Sequence, residues 1–316
     1  MLIPPSYIVG QRSCRSGLAL IPVEGKAPMR IEAIGPDQGN MNIHSTAWGL
    51  RLQGIEIDQG LIPRRRALDL PTVDLQLELA PDEPCPFVVG DDHAEVHLPG
   101  IGRVRMRRQG LTSVFVVSRR PTPDELVHPL LAPTAVVMNA WLGRVPLHGG
   151  AALIGGNAWA VLADRTGGKS TTLACLHREG ISVLSDDVLA IDSNLQVYSG
   201  PRCVDLRAPA AKELSMGREL LGVGLRERYR VDLGEVDIEY PLAGLVYLHW
   251  SGRIEMARLP PREALTRIFE HLALTRDPDP STMLALASLP AFMWSRPPSF
   301  IELDAALKAL RGPLEG

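Results

Sequence analysis

The residues Ala163, Asp164, Arg165, Thr166, Gly167, Gly168, Lys169 and Ser170 are the stretch of this chain whose types and spacing point most directly to chemistry. A glycine pair followed by Lys-Ser lets successive backbone N–H groups turn inward and form a concave nest for phosphate oxygens. A helix that starts there adds unsatisfied donors and the positive end of its dipole. In such a Walker A loop Lys169 sets an ammonium on the β and γ phosphates of ATP, and the Ser170 hydroxyl holds Mg²⁺. Thr171 extends the same cradle. The run Asn157–Ala163 has the length and apolarity of a buried strand, and Gly168–Arg178 has helical spacing with Leu173 and Leu176 on one side. Strand before and helix after is the context this loop requires. The loop also departs from the usual pattern: Ala163 replaces the first glycine, and Arg165 and Thr166 replace small residues. Threonine is disfavoured wherever φ must be positive, and the Asp164 carboxylate must point away from phosphate. The competing reading is an ordinary strand–turn–helix whose lysine faces solvent.

Ser185-Asp186-Asp187 ends the next apolar stretch, seventeen residues beyond Lys169, which is one helix plus one strand. One carboxylate there can hold Mg²⁺ across from Ser170, directly or through water. A second can accept the proton of an attacking hydroxyl. An Asp pair between strands is also common turn chemistry, and it is the spacing from Lys169 that favours the functional reading. Leu147-His148-Gly149-Gly150 lies on the element just before the loop strand. Adjacent strands commonly pair, so His148 can reach the phosphate or the acceptor. Arg202 and Arg207 flank the strand Cys203–Leu206, expected near the nucleotide, and Arg226, Arg228 and Arg230 follow. A planar guanidinium suits phosphate or an acidic acceptor, although a salt-bridged arginine is as good a reading for each.

These groups need a scaffold. Residues 46–120 read as short strands punctuated by Pro84, Gly90, Gly100, Gly102 and Gly110. Val73–Leu79 alternates strictly, and Ala94–Leu98, Val104–Met106 and Val114–Val117 continue a meander. Residues 1–45 carry little periodicity and are expected to be loops with short strands. Thr122 can cap a helix opening at Pro123, and Ala132–Leu142 is a hydrophobic helical stretch. Beyond the loop, Gly180 stops its helix. Ile181–Leu184, Val188–Ile191, Leu195–Tyr198, Cys203–Leu206 and Leu242–His249 read as strands. Residues 207–235 are rich in Arg and Gly and read as a mobile loop or helical excursion. Pro261–Leu274 is amphipathic at helical spacing, and Phe300–Leu310 suggests a last helix. The division expected is an N-terminal β-rich subdomain over 1–120 and a nucleotide-binding core over 121–316.

The 316 residues carry a net charge of −3, with 45% hydrophobic and 22% charged residues, which suits a chain with a buried core. No long basic run suggests nucleic acid, and Arg64–Arg66 reads as a solvated loop. Cys14, Cys85, Cys175 and Cys203 form no CxxC pair, so neither a zinc site nor a disulfide framework is indicated. No signal peptide and no transmembrane-length stretch is read, and a cytoplasmic location is expected.

Taken together, His148-Gly-Gly, the loop Ala163–Ser170 and Asp186-Asp187 resemble the catalytic core of HPr kinase/phosphorylase and its HPr-kinase-like relatives. The strings Leu147-His-Gly-Gly-Ala-Ala-Leu and Arg178-Glu-Gly-Ile-Ser-Val-Leu-Ser-Asp-Asp look similar to relatives outside the sugar-transport system. The close likeness spans about residues 145–210, with a looser one over roughly 46–310. The resemblance implies an α/β class with a mixed sheet, a P-loop core related to the PEP carboxykinase fold, and ATP and Mg²⁺ as ligands. It implies phosphorylation of a serine or threonine hydroxyl in a peptide or protein, with natural-product precursor peptides among the candidate acceptors. By the same resemblance Asp186 is the base, Asp187 assists the metal with Ser170, and His148 lines the transfer site beside Lys169. It allows a homo-oligomer and implies neither nucleic-acid nor membrane partners. The C-terminal signature of true HPr kinases is missing after the Asp pair, which argues against HPr itself as substrate and leaves the reverse reaction without support. Alternatives that stay open are a small-molecule hydroxyl kinase, a nucleotide-binding regulator without transfer activity, and a simple NTPase.

Overall fold

Alternation over Val73–Leu79 forces a strand with one apolar face, and in the computed structural model that strand lies within a mixed eight-stranded sheet. The structure describes residues 43–66, 69–221, 223, 227–274, 276 and 278–315. The expectation of loops over 1–45 falls almost wholly outside them, as do Cys14 and Arg226. The first sheet uses β1 (Ile43–Ala47), β2 (Leu50–Gln53), β3 (Arg64–Arg66), β4 (Thr72–Leu79), β5 (Val88–Val89), β6 (His93–Leu98), β7 (Gly102–Arg107) and β8 (Thr112–Val117). Their order is β3-β1-β2-β4-β8-β7-β6-β5. The pairs β2–β4 and β4–β8 are parallel and the rest antiparallel. Arg64–Arg66 is thus an edge strand rather than the loop expected from its charge.

Thr122 caps α1 (Pro123–Glu125) in a reciprocal capping box with Glu125, as its position before Pro123 suggested. An irregular turn, Leu126–Leu130, leads into α2 (Leu131–Trp141), which is apolar nearly all round and buried. Its Leu131, Val136 and Met138 pack in one apolar cluster with Leu75, Val104 and Phe115 of the first sheet.

The second sheet is built on β9 (Val145–Ile154), the longest apolar run before the loop, followed by β10 (Asn157–Leu162). Then come α3 (Lys169–Arg178), β11 (Val183–Ser185), β12 (Val188–Ile191), β13 (Gln196–Tyr198) and β14 (Cys203–Leu206). After these stand α4 (Ala208–Leu214), β15 (Arg218–Leu220), β16 (Arg228–Asp232), β17 (Glu239–Trp250), β18 (Glu255–Arg258), α5 (Pro261–Glu270), α6 (Pro280–Ser288), β19 (Ala291–Arg296) and α7 (Leu303–Leu314). The order is β10-β9-β12-β13-β17-β19-β18, with β11 also on β9 and β10 also on β17. The pairings β10–β9–β12–β13–β17 therefore close on themselves. Strands β10, β17 and β19 run parallel, so their carboxyl ends emerge on one edge. The segment 207–235, read from sequence as a mobile or helical excursion, holds α4 and the strands β15 and β16, which join the preceding β14 in a small antiparallel sheet, β14-β16-β15. Its arginines supply the reason: Arg230 is buried and pairs with Asp205 on the neighbouring strand and with Asp124 of α1.

Mixed α/β architecture with several mixed sheets agrees with the class expected. Among the described residues no helix is long and apolar enough to cross a membrane, and Cys85, Cys175 and Cys203 are free thiols.

One glycine decides how closely helix and sheet approach. A Cβ on Gly150 of β9 would lie 2.4 Å from Leu173 Cδ1 on α3 and 2.8 Å from the Ser185 carbonyl oxygen. The helix that begins with Lys169 and the strand that leads to Asp186 both lean on this point. Gly150→Ala is expected to lower stability by about 1–3 kcal/mol, the usual cost of overpacking. An unchanged urea midpoint would show that the contact yields freely.

Candidate active site

Strand β10 ends at Leu162 and α3 starts at Lys169, so the loop between them spans the gap the sequence implied. Gly167 N donates to the Asp164 carbonyl at 2.9 Å, which tightens the turn. Gly168 takes φ +86°, and a Cβ there would press on Arg296 and Trp250. Thr166 takes φ +69° although it is β-branched, so the loop holds a conformation that only glycine adopts without strain. The residues Ala163 to Thr171 all line one cavity of about 1390 Å³.

Lys169 is buried at the start of α3. Its Nζ lies 3.3 Å from His148 Nε2 and 3.9 Å from Asp187 Oδ1. The His148 Nδ1 lies 3.0 Å from the Asp187 carbonyl oxygen. That contact fixes Nδ1 as the protonated nitrogen and leaves Nε2 to accept from the ammonium. Burial, then the Lys169 charge, lowers the His148 pKa to about 3, so the ring is neutral at physiological pH. His148 is held through its backbone as well, its N–H donating to the His271 carbonyl at 2.7 Å.

The two aspartates have different surroundings. Asp187 stands at φ +72°, with His148 Nδ1 and His128 Nδ1 each 3.6 Å from its carboxylate. Burial works to raise its carboxyl, yet surrounding positive charge, the Lys169 ammonium 3.9 Å away included, holds it well below the usual carboxylate range. Asp186 shares a side-chain hydrogen bond with Ser170, and its Oδ1 accepts from the Asp187 N–H at 2.9 Å. Burial and the negative Asp187 beside it raise the Asp186 pKa to about 6, against the pull of Lys169 and Ser170. The structure therefore brings Asp186 to Ser170, whereas Asp187, expected beside Ser170 on the metal, stands against Lys169 and the imidazoles instead.

Not every residue read as a site residue reaches the cavity. Arg202 was expected on the nucleotide, but it is buried and donates to the carbonyls of Leu184, Val183 and Gly234 at 3.0, 2.6 and 2.9 Å. With its donors spent on backbone it pins β11 rather than lining the cavity. Arg207 and Arg228 do line it, whereas Arg230 is spent on Asp205 and Asp124. Among the lining residues that carried no signal in the sequence are His128, His271, Trp250 and Arg296. His271 is buried, faces Asp164 and Lys169, and stacks on Tyr247 with ring centres 5.9 Å apart. Burial, with Lys169 nearby, lowers its pKa to about 4. All four come from chain segments far from the loop, so no local pattern marks them.

Among the described residues no group of three or more His, Cys, Asp or Glu side chains converges as a metal cage. Mg²⁺ in nucleotide sites keeps several waters and takes one or two protein oxygens together with phosphate. The Ser170 hydroxyl with Asp186 beside it fits that sparse requirement.

No family model and no curated protein matches the chain. Among solved structures it is similar to the Hpr(Ser) kinase/phosphatase from Coxiella burnetii, at 12% identity over 54% of this chain and 99% of that one, with a TM-score of 0.29. So low a score carries no argument about this site, whose reading rests on its own geometry.

Two outcomes follow from the strain and the charge. Thr166→Gly is expected to raise stability by about 1 kcal/mol through relief of the left-handed backbone, read as a higher denaturation midpoint; a lower midpoint would mean that its methyl and hydroxyl contacts outweigh the strain. For Asp186 the folded pKa lies above that of the unfolded chain. The native state then binds the extra proton between about pH 4 and 6, and stability falls as pH rises through that window. Asp186→Asn removes the cost of the buried charge. It is expected to be more stable than wild type above pH 6, on the order of 2 kcal/mol, with the gap closing below pH 4. Parallel curves of stability against pH for the two proteins would refute the raised pKa.

Proposed function

We propose that this chain binds ATP through the loop Ala163–Thr171 and transfers the terminal phosphoryl group to a serine or threonine hydroxyl of a peptide or protein. The observation that carries the reading is Lys169, a buried ammonium set at the mouth of a positively strained strand–loop–helix turn, with Asp186 facing the same cavity. An ordinary turn lysine would be solvated, and a plain binder has no use for a partly buried carboxylate poised near neutrality.

The loop amides and Lys169 receive the β and γ phosphates, where a fixed ammonium opposes the charge that develops during transfer. Asp187, ionised and placed by its strained backbone, keeps Lys169 and His148 in register. His148, being neutral, accepts from the ammonium and adds no competing positive charge. Asp186, with a pKa near 6, takes the proton from the attacking hydroxyl. The oxygen–phosphorus bond to the acceptor forms as the bond from the γ-phosphorus to the β–γ bridging oxygen breaks, and ADP leaves with that oxygen. Ser170, with Asp186 in reach, would hold Mg²⁺, which would supply neutralisation of the phosphate charge. The cavity exceeds the few hundred to one thousand Å³ typical of a small-ligand pocket. That leaves room for an acceptor segment beside the nucleotide, against Arg207 and Arg228.

The test is incubation with γ-labelled ATP, Mg²⁺ and serine- or threonine-containing peptides, for wild type, Lys169→Ala and Asp186→Asn. Label on a hydroxyl, reduced at least about 100-fold in both variants, is the expected result. With wild type, kcat/KM should fall as pH drops through about 6, because protonated Asp186 cannot accept the acceptor's proton. ATP binding without label transfer or phosphate release would leave a nucleotide-binding regulator. No ATP binding would remove the reading.

A further inference from the structure

The loop end of the cavity carries a second feature that phosphate binding alone does not use. Trp250 closes β17 and Arg296 closes β19, and the two residues are partners in the parallel register. Strands β10, β17 and β19 run in one direction, so both side chains stand at the same carboxyl edge from which the loop springs. The closeness is direct: a Cβ on Gly168 would fall 2.9 Å from Trp250 and 2.6 Å from Arg296.

The Arg296 guanidinium carbon sits 4.3 Å from the centre of the Trp250 ring, a cation–π stack. Arg296 is 3% exposed, and its Nε has no hydrogen-bond partner. Its hydrogen-bond contacts, to Thr172 Oγ1 and the Pro297 carbonyl, are both 3.5 Å, and its guanidinium carbon also lies 5.2 Å from the centre of the Trp294 ring. Among the described residues no carboxylate pairs with it, and burial lowers its pKa to about 10, still charged at neutral pH. A buried guanidinium without a counter-ion is costly unless a ligand supplies one. Trp250 itself is 37% exposed, as is Phe300, and both line the cavity. One face of the indole is thus braced by the arginine while the ring remains open to the cavity.

We propose that Trp250, backed by Arg296, is the stacking platform for the purine base of the bound nucleotide. This rests on the phosphate-loop reading above and adds the base side of the same site. The base lies along the exposed indole, Phe300 borders it, and the uncompensated Arg296 charge faces the nucleotide's anionic end. Base stacking on an aromatic ring is sequence-tolerant and depends on ring area, so adenine and guanine nucleotides should bind alike.

The experiment compares ATP with inorganic tripolyphosphate, which has the phosphates and no base, by calorimetric titration of wild type, Trp250→Ala and Trp250→Phe. Trp250→Ala should weaken ATP about 5- to 100-fold and leave tripolyphosphate affinity unchanged. Trp250→Phe should restore most of the loss. Unchanged ATP affinity in Trp250→Ala would overturn the platform and leave the phosphate loop standing. Equal weakening of ATP and tripolyphosphate would also overturn it, since Trp250 would then act through the loop's shape. Wild type that binds neither compound would overturn the phosphate-loop reading and the platform with it.

Discussion

The structure turns on keeping one ammonium, that of Lys169, out of bulk water while leaving it on the wall of the cavity. A buried charge must be paired or hydrogen-bonded, or the fold loses more than it gains. Three elements meet that demand. Strand β9 supplies His148, the turn between β11 and β12 supplies Asp187, and α3 supplies the lysine itself. Their common support is β9, which pairs with β10, β11 and β12 and so fixes the distance from the loop to the aspartates. Gly150 lets α3 settle against that strand without a side chain between them.

The pairing is also asymmetric. Asp187 faces the cation and the two imidazoles, so it stays charged. Asp186, its neighbour, faces Ser170 and the like charge, so its proton is held to higher pH. Adjacent carboxylates with separated proton affinities are the pattern by which one site can hold a fixed charge and a titrating one together. The split follows from the left-handed backbone at Asp187, which sends consecutive side chains to different neighbours.

The local parts of this arrangement were legible in the chain, and the long-range parts were not. Strand β10, the loop and α3 are contiguous, so period and spacing disclosed them; the same is true of β12, β14 and the Thr122 cap. Seventeen residues between Lys169 and Asp186 told of one helix and one strand, a separation the structure keeps. What escaped was whatever depends on tertiary neighbours. Arg202 and Arg296 are both buried arginines at strand boundaries, and no sequence pattern separates them. One spends its donors on the carbonyls of Val183, Leu184 and Gly234, and the other stands over Trp250 without a carboxylate. The segment 207–235 looked mobile because it is rich in Arg and Gly. Arg230 instead makes it a sheet, through carboxylates contributed by β14 and by α1, the latter a hundred residues away in the chain. Composition reports solubility of a segment, and only the fold says which charges find partners.

The costs in this molecule are gathered in one place. Among the described residues six other than glycine adopt positive φ, and three of them, Trp48, Thr166 and Asp187, line the cavity. The Asp186 carboxylate with its raised pKa and Arg296 without an ion pair line it too. Strain of this kind persists only where surrounding structure over-determines it, and here the apolar clusters under both larger sheets supply that surplus. Two of these features, the strained loop and Arg296 without an ion pair, share one resolution with the Lys169 ammonium, a ligand carrying negative charge, whereas Asp186 calls for a cation. Phosphate would engage the strained loop's amides and the ammonium, metal with phosphate would stabilise the ionised form of Asp186, and the anionic end of a nucleotide would pair with Arg296.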